Sequence, residues 1–140
     1  MEVKSIANGI VIDHVRAGFG MKVLEYLDID TARDTVALLM NVASVKHGRK
    51  DIIKLANIES VDVNVLGLVD SGATVIYIKD SKIVEKKKLK FPKKVKNVIR
   101  CKNPRCVTSV EAVPNVFHLA DESGRYRCDY CDNIVKADEN

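Results

Sequence analysis

The 140-residue sequence contains no tryptophan, and aromatic residues make up only 5% of it. Proteins that bind single-stranded nucleic acid stack successive bases on aromatic side chains, so this mode of binding is disfavoured. No apolar run approaches the roughly 20 residues that a helix needs to span a bilayer, so we expect no association with a membrane. No apolar signal segment precedes the first predicted strand either. We therefore expect a cytoplasmic protein, in a reducing compartment where disulfides do not persist.

Cysteine occurs only four times, in two close pairs near the C-terminus. Four residues separate Cys101 from Cys106, and two residues separate Cys128 from Cys131. Both spacings are found in tetrahedral zinc sites. Two disulfides are the alternative, with three possible connectivities, but a reducing compartment disfavours them. The pattern predicts one structural zinc ion per chain, held by four thiolates that leave no open coordination position for catalysis.

The formal net charge of +4 counts every cysteine as neutral. Four thiolates and one zinc ion would reduce it to about +2. So small a positive charge does not by itself indicate a nucleic-acid partner. Eight basic residues nevertheless lie within residues 86–100. We interpret this stretch as the connection between two domains, and a nucleic-acid-binding arm is the alternative.

Hydrophobic periodicity predicts the element order β-α-β-β-α-β, followed by a short fifth strand, in the first two-thirds of the chain. The predicted strands are residues 10–15, 35–42, 49–57, 73–78 and 82–85. The predicted helices are residues 16–27 and 61–69, with Ser60 as the N-cap of the second. This order is that of the ferredoxin-like split βαβ arrangement, in which two helices cover one face of an antiparallel sheet. The other face remains open for a ligand, a partner or a second subunit.

The last third is predicted to be a small all-β domain of the zinc-ribbon-like (rubredoxin-like) type. Its short strands are residues 109–113, 116–119 and 126–135. We place the two domains at residues 1–92 and 93–140, which makes the protein α+β.

Polar side chains lie at two places on the predicted sheet. Asp13 and His14 end the first, largely buried strand, where they either form part of a ligand site or cap the following turn. Lys50 and Lys54 share one face of the third strand, because residues two apart in a strand point to the same side. They are placed to receive phosphates, although a solvated face is the simpler interpretation.

Three sequence features together resemble the regulatory chain of aspartate carbamoyltransferase. They are GIVIDH at residues 9–14, GRKDIIK at residues 48–54, and the C-x4-C and C-x2-C pairs. The similarity covers essentially the whole chain in order. It implies a non-catalytic polypeptide of pyrimidine biosynthesis. Its N-terminal domain would bind the nucleotide effectors CTP and ATP, with UTP as a co-effector, and pair with a second regulatory chain. Its C-terminal zinc domain would dock onto the catalytic chain.

The resemblance also implies a set of nucleotide-binding residues. Those placed against the base are Lys4, Ser5, Ile6 and Val11. Asp13 would serve the base or ribose, and Lys54 the ribose or base. Those placed near phosphate are His14, Lys86 and Lys50, the last for a phosphate or a second nucleotide.

Three positions depart from the family pattern. Ile76 and Ser81 stand where an asparagine and a tyrosine are familiar near the base, and Lys4 replaces an acidic residue. We expect weaker discrimination between CTP and ATP as a result.

For the docking surface, the sequence offers an apolar centre at Val107, Val110, Val113, Val116 and Phe117. Its predicted polar rim is Asn103, Arg105, Glu111 and Asn115. The alternative is that these apolar residues only cover the zinc site.

Two functions of different classes therefore follow from the sequence. The first is an allosteric regulatory subunit that binds nucleotides and a catalytic trimer. The second is a zinc-ribbon nucleic-acid-binding protein that uses the lysine-rich connection.

Overall fold

The computed structural model describes residues 6–30, 32–45 and 48–137. The described residues fall into two compact units, which adjoin in sequence between Lys90 and Phe91. Lys4 and Ser5, both predicted to contact a base, lie outside the described residues. Among the described helices none is long and apolar enough to cross a bilayer.

The N-terminal unit is built on a five-stranded antiparallel sheet. Its elements are β1 (Gly9–Arg16), α1 (Gly20–Tyr26), β2 (Thr35–Ser44), β3 (Gly48–Ala56), α2 (Val63–Val69), β4 (Thr74–Lys79) and β5 (Lys82–Lys88). The strand order is β2-β3-β1-β4-β5. The first four strands have the split βαβ order, and the β4–β5 hairpin adds a fifth strand at the edge. The predicted ferredoxin-like fold is confirmed.

The two faces of this sheet differ because buried apolar residues alternate with more exposed residues along its central strands. Ile10, Ile12, Ile53 and Leu55 are completely buried, and they form one core with apolar residues of α1 and α2. Their neighbours in sequence, such as Val11, point the other way and are only half-buried. The helices therefore cover one face of the sheet, and the opposite face is left open within this unit.

One carboxylate, that of Asp51 in β3, is completely buried on the helix side of the sheet. Its Oδ2 accepts hydrogen bonds from the backbone N–H groups of Gly18 at 3.1 Å and Gly20 at 2.9 Å. Its Oδ1 accepts one from the N–H of Asn41 at 2.8 Å, where β2 bulges against β3. A Cβ at position 20 would lie 2.9 Å from that Oδ2 and 2.7 Å from Leu38, so glycine is required there. Asp51 thus joins the β1–α1 turn and the β2 bulge to β3.

The helix boundaries differ from those predicted. Helix α2 begins at Val63, and its N-cap is Asp62, whose Oδ1 accepts hydrogen bonds from the N–H groups of Asn64 and Val65. The prediction of Ser60 as the cap was wrong, because the Asp62 carboxylate satisfies these amides instead. Helix α1 begins at Gly20 rather than at residue 16, because β1 continues to Arg16 and Gly18 turns the chain with a φ of +94°.

The C-terminal unit is a second, four-stranded antiparallel sheet around its own small core. Its elements are β6 (Lys94–Lys96), α3 (Val107–Val110), β7 (Val116–Leu119), β8 (Arg125–Cys128) and β9 (Ile134–Lys136), with strand order β6-β7-β8-β9. The buried apolar side chains are Val95, Ile99, Phe117, Tyr126 and Val135. Phe117 therefore belongs to the core, and its predicted place in an exposed docking centre was wrong.

Two further predictions for this unit need correction. Residues 109–113 do not form a strand, and Ser109 and Val110 belong to the short helix α3 instead. The Ser109 hydroxyl donates to the carbonyl of Asn103 at 2.8 Å and holds the chain in a tight turn. Residues 126–135 form two strands rather than one, because the second cysteine pair turns the chain between β8 and β9.

The lysine-rich stretch is not a free connection. Its first part, residues 86–88, belongs to strand β5, and the N–H of Leu89 donates to the carbonyl of Ala73 within the N-terminal unit. Strand β6 takes a later part, and the buried hydroxyl of Tyr126 donates to the carbonyl of Pro92 at 2.7 Å within the C-terminal unit. The basic residues are therefore divided between two folded sheets, and the boundary between the two units lies within this stretch.

Replacing Asp51 by asparagine tests the buried carboxylate. An amide has one acceptor oxygen, so at least one backbone N–H would lose its partner and face an NH₂ group instead. We expect Asp51→Asn to lower the free energy of unfolding of this unit by about 2–4 kcal/mol. Native-state amide hydrogen exchange at Ile53 and Leu55 in β3 measures the loss. Asp62→Asn is the matched control, since a single oxygen makes both cap bonds there and asparagine caps as well as aspartate. Equal exchange rates in the two variants would contradict the role given to Asp51.

Candidate metal centre and ligand-binding face

The four cysteine sulfurs converge on one point of the C-terminal unit. The Sγ atoms of Cys101, Cys106, Cys128 and Cys131 all lie within 4.8 Å of one another. The Sγ atoms are 3.5 Å apart in the pair Cys101–Cys131 and 3.8 Å apart in the pair Cys106–Cys128. None of the four is in a disulfide. A zinc–sulfur bond of about 2.3 Å places the sulfurs of a tetrahedral site roughly 3.8 Å apart, so this set fits one zinc ion.

The backbone around the sulfurs holds them in two turns. The N–H of Cys106 donates to the carbonyl of Asn103 at 3.0 Å, and this bond closes the loop between the first pair. The N–H of Asp132 donates to the carbonyl of Cys128 at 3.0 Å, and Asp132 has a φ of +64°. Cys106 and Cys128 are buried, whereas Cys101 and Cys131 are half-buried. Four protein ligands complete the tetrahedron, as in structural zinc sites, and the predicted structural zinc is confirmed.

The thiols differ in their immediate surroundings. Burial raises the pKa of Cys101 to about 12. The pKa of Cys106 is lowered to about 7, chiefly because the Thr108 hydroxyl donates a hydrogen bond to its sulfur at 3.2 Å and the Thr108 backbone N–H donates as well. Zinc is bound by thiolates, so donors aimed at sulfur favour the form that the metal requires.

A row of four residues crosses the open face of the N-terminal sheet. Val11 pairs with Lys54 on β3 and with Ile76 on β4, and Ile76 pairs with Lys86 on β5. Residues directly opposite each other in antiparallel strands point to the same side of the sheet. The row therefore has an apolar middle, Val11 and Ile76, with a lysine at each end. Neither lysine forms an ion pair with a described residue.

Asp13 and Lys50 form an ion pair beside this row. The Lys50 Nζ lies 2.9 Å from the Asp13 Oδ1, and the two side chains are only 16% and 20% exposed. Burial acts to raise the pKa of Asp13, but the hydrogen bonds from Lys50 and from the His14 backbone N–H outweigh it, and the net pKa is lowered. Asp13 is therefore ionised, and its charge offsets that of Lys50. Lys54 and Lys86 of the row have no such partner among the described residues, and neither has Lys88, which lies opposite Thr74 on the same face.

His14 stands in a bulge of β1 with a φ of +58°. Its Nδ1 lies 3.3 Å from the Oγ1 of Thr74, which is also the cross-strand partner of Asp13. A positive φ on a residue with a side chain costs about 1–3 kcal/mol and is often found at functional sites. Sequence reasoning did not identify Thr74, because only the β1–β4 register places it beside Asp13 and His14.

The other predicted positions lie around the same face. Ile6 is half-buried just before β1, and its Cδ1 would lie 3.0 Å from a Cβ at Gly9. Ser81 is exposed in the β4–β5 turn, and its N–H donates to the carbonyl of Ala7 at 2.8 Å. The structure thus places Ile6 and Ser81 near the beginning of β1, while Asp13, His14 and Lys50 gather at its end.

A groove of about 570 Å³, which no sequence pattern indicates, opens at the beginning of β1. Its walls are Asn8, Gly9, Asn57, Ile58, Glu59, Tyr77, Ile78, Lys79 and Val84. Ile78 and Gly9 are cross-strand partners, and each lies two residues along its strand from the pair Ile76 and Val11. The groove therefore adjoins the row of four residues.

Comparison with known proteins gives matches over both units. The family described as aspartate carbamoyltransferase regulatory chain, allosteric domain, matches residues 1–90. The family described as aspartate carbamoyltransferase regulatory chain, metal binding domain, matches residues 93–140.

Curated relatives extend over nearly the whole chain. The aspartate carbamoyltransferase regulatory chain of Clostridium tetani is 52% identical, and the match covers 99% of each chain. That of Clostridium botulinum (strain Hall) is 52% identical over 96% of this chain and 93% of its own. That of Bifidobacterium longum is 51% identical over 97% and 99%. Regulatory chains are non-catalytic subunits, so the expectation that this chain is not an enzyme is confirmed. The chain belongs to the aspartate carbamoyltransferase regulatory chain family.

Proposed function

We propose that this chain binds CTP and ATP, with UTP as a further effector, on the open face of its N-terminal sheet. In the cytoplasm it would convey their binding to the catalytic chain of aspartate carbamoyltransferase and so control pyrimidine biosynthesis. The row formed by Lys54, Val11, Ile76 and Lys86 is the observation that carries this proposal.

The row has the chemistry that a nucleotide requires. An apolar floor takes the flat faces of a base and ribose, and unpaired ammonium groups bind phosphate oxygens through charge-assisted hydrogen bonds. Lys54 and Lys86 are unpaired cations of this kind, three strands apart on the same face. The Asp13, His14 and Thr74 cluster adds an ionised carboxylate and a hydroxyl beside the row. In this proposal Lys50 holds Asp13 in place and adds positive charge for a phosphate or a second nucleotide.

The floor of the site also bears on which base it accepts. Ile76, in the middle of the row, has no hydrogen-bonding group, and Ser81 is short and lies in a turn. A base lying on this row would therefore meet few side-chain groups that could read its edge. We therefore propose that CTP and ATP bind with similar affinity.

Alanine substitutions at the two lysines of the row test the site. We expect Lys54→Ala and Lys86→Ala each to weaken triphosphate binding by about 1–3 kcal/mol, because each removes a charged hydrogen-bond donor. Isothermal titration calorimetry of the full chain with CTP, UTP and ATP gives the affinities. The matched control is Lys87→Ala on the same strand. Lys87 pairs with Val75 on the helix side, where its Nζ lies 5.7 Å from the Tyr77 ring centre. If Lys87→Ala weakens binding as much as Lys86→Ala, the open face is not the nucleotide site.

The edges of the sheet indicate how a second regulatory chain would pair. An exposed edge strand invites pairing with another strand, and charged side chains oppose it. Strand β5 carries charge at five of its seven positions, whereas β2 (Thr35–Ser44) has no charged residue. We propose a two-fold homodimer in which the β2 edges of two chains pair.

A charge on the β2 edge should break this dimer. Met40 of β2 and Met21 of α1 are equally exposed, at 51% and 53%. We expect Met40→Lys to shift the chain towards monomer, since each chain would bring a new positive charge to the paired β2 edges. Met21→Lys should leave the dimer intact. Sedimentation velocity over a range of concentrations measures the equilibrium, and an unchanged dimer in Met40→Lys would rule out pairing through β2.

The C-terminal unit is the proposed docking surface for the catalytic chain. Its most exposed large apolar side chain among the described residues is Val110 of α3, at 72%. Val107, Val113 and Val116, which are close to Val110 in sequence, are half-buried and add partly exposed apolar surface. A centre of this kind with polar residues around it is usual for protein interfaces. Asn103, Arg105, Glu111 and Asn115 supply that rim.

Introducing a negative charge at Val110 tests this surface. We expect Val110→Asp to weaken association with the catalytic trimer at least about tenfold, because a carboxylate at an apolar interface centre loses its hydration. Val84→Asp is the control, because Val84 is an exposed valine of the N-terminal unit, with 62% of its surface accessible. Association is followed by sedimentation of mixtures, with zinc content measured in both variants. Parental association of a zinc-loaded Val110→Asp chain would refute this docking surface.

A further inference from the structure

A hydroxyl group touches one of the four metal-binding sulfurs. The Oγ1 of Thr108, in α3, donates a hydrogen bond to the Sγ of Cys106 at 3.2 Å. Cys106 is buried and Thr108 is half-buried, so water competes weakly for this bond. Within residues 6–30, 32–45 and 48–137, no other side-chain hydroxyl donates to a cysteine sulfur. The four thiolates are therefore not equivalent.

The next residue provides an internal comparison. Ser109 also carries a hydroxyl, but it donates to the carbonyl of Asn103 at 2.8 Å and makes no bond to sulfur. Both hydroxyls hold α3 against the loop of the first cysteine pair. Only that of Thr108 acts on a metal ligand directly.

A hydrogen bond to a thiolate has two physical effects. It fixes the side-chain orientation of the ligand, and it draws charge from the sulfur, which makes the sulfur less reactive towards protons and electrophiles. Cys101 and Cys131 are half-buried and have no such hydroxyl partner in the described part of the chain. Attack on the metal centre should accordingly begin at these two residues and reach Cys106 late.

We propose that Thr108 is a positioning residue of the zinc centre, whose hydroxyl holds Cys106 in place and makes it slower to leave the metal than Cys101 and Cys131. Because α3 carries both Thr108 and the exposed Val110, the same hydrogen bond fixes that surface relative to the metal. The inference concerns the metal centre alone and does not depend on the proposed nucleotide or partner.

Three substitutions in the full, zinc-loaded chain separate the hydroxyl from the side-chain shape. Thr108→Val keeps the shape and removes the donor, Thr108→Ser keeps the donor, and Ser109→Ala removes the neighbouring hydroxyl. We expect zinc affinity, measured by competition with a chromogenic chelator, to fall by about 10–100-fold in Thr108→Val. Thr108→Ser and Ser109→Ala should stay within about threefold of the parent, well below the effect typical of lost outer-shell partners.

Cobalt substitution gives a readout that a purely structural role would not change. In the Co²⁺ form of the parent, the hydrogen bond stabilises the sulfur lone pair and raises the energy of the sulfur-to-cobalt charge-transfer band. The band should therefore move to longer wavelength in Thr108→Val and stay in place in Thr108→Ser. A parental band and parental affinity in Thr108→Val would overturn the proposal, as would equal losses in Thr108→Val and Thr108→Ser.

The parent chain provides an independent test should Thr108→Val not fold. The zinc-loaded protein is treated with limiting iodoacetamide, and the modified cysteines are mapped by mass spectrometry. The proposal predicts that Cys131 and Cys101 are modified before Cys106. Early modification of Cys106 would overturn it.

Discussion

A single buried carboxylate organises the N-terminal unit. Asp51 accepts three backbone hydrogen bonds from two separate segments, so β3 can sit in the sheet in only one register. A slip of one residue would turn every side chain of a strand to the opposite face. With Asp51 fixed towards the helices, Lys50 and Lys54 must point to the open face. The same interaction that stabilises the core therefore sets the position of the cations proposed to bind nucleotide.

The C-terminal unit depends on a different constraint. A unit of about 50 residues buries too little apolar surface to be stable on its core alone, and such units commonly rely on a metal or on disulfides. Here five large apolar side chains form the core, and four sulfurs close the loops on one side of it. Metal binding and folding are coupled in such domains. A metal site can thus stabilise a folded unit on a very short stretch of sequence.

The sequence was sufficient for features that depend on local pattern, and insufficient for those that depend on distant contacts. Alternation in β1 and β3 and the cysteine spacing are local, so the split βαβ order and the zinc ligands were predicted correctly. The cap of α2 was misplaced because Ser60 and Asp62 are both good caps, and only the backbone geometry selects Asp62. Helix α3 was missed because a strand-like valine pattern is overridden by the turn bonded to Asn103. Thr74 and the groove beside Gly9 arise from strand register, which a single sequence does not specify.

If the proposed function is correct, nucleotide bound to this chain changes the activity of the catalytic chains that associate with it. The most direct test is to assemble the full chain with the catalytic trimer and to measure the aspartate concentration giving half-maximal rate, with and without CTP or ATP. We expect nucleotide to shift this concentration in the assembled complex and to leave that of the isolated catalytic trimer unchanged. We also expect the shift to disappear in a complex built with the Lys54→Ala, Lys86→Ala double variant. An assembled complex that ignores nucleotide, or a double variant with the full response, would contradict the proposed function.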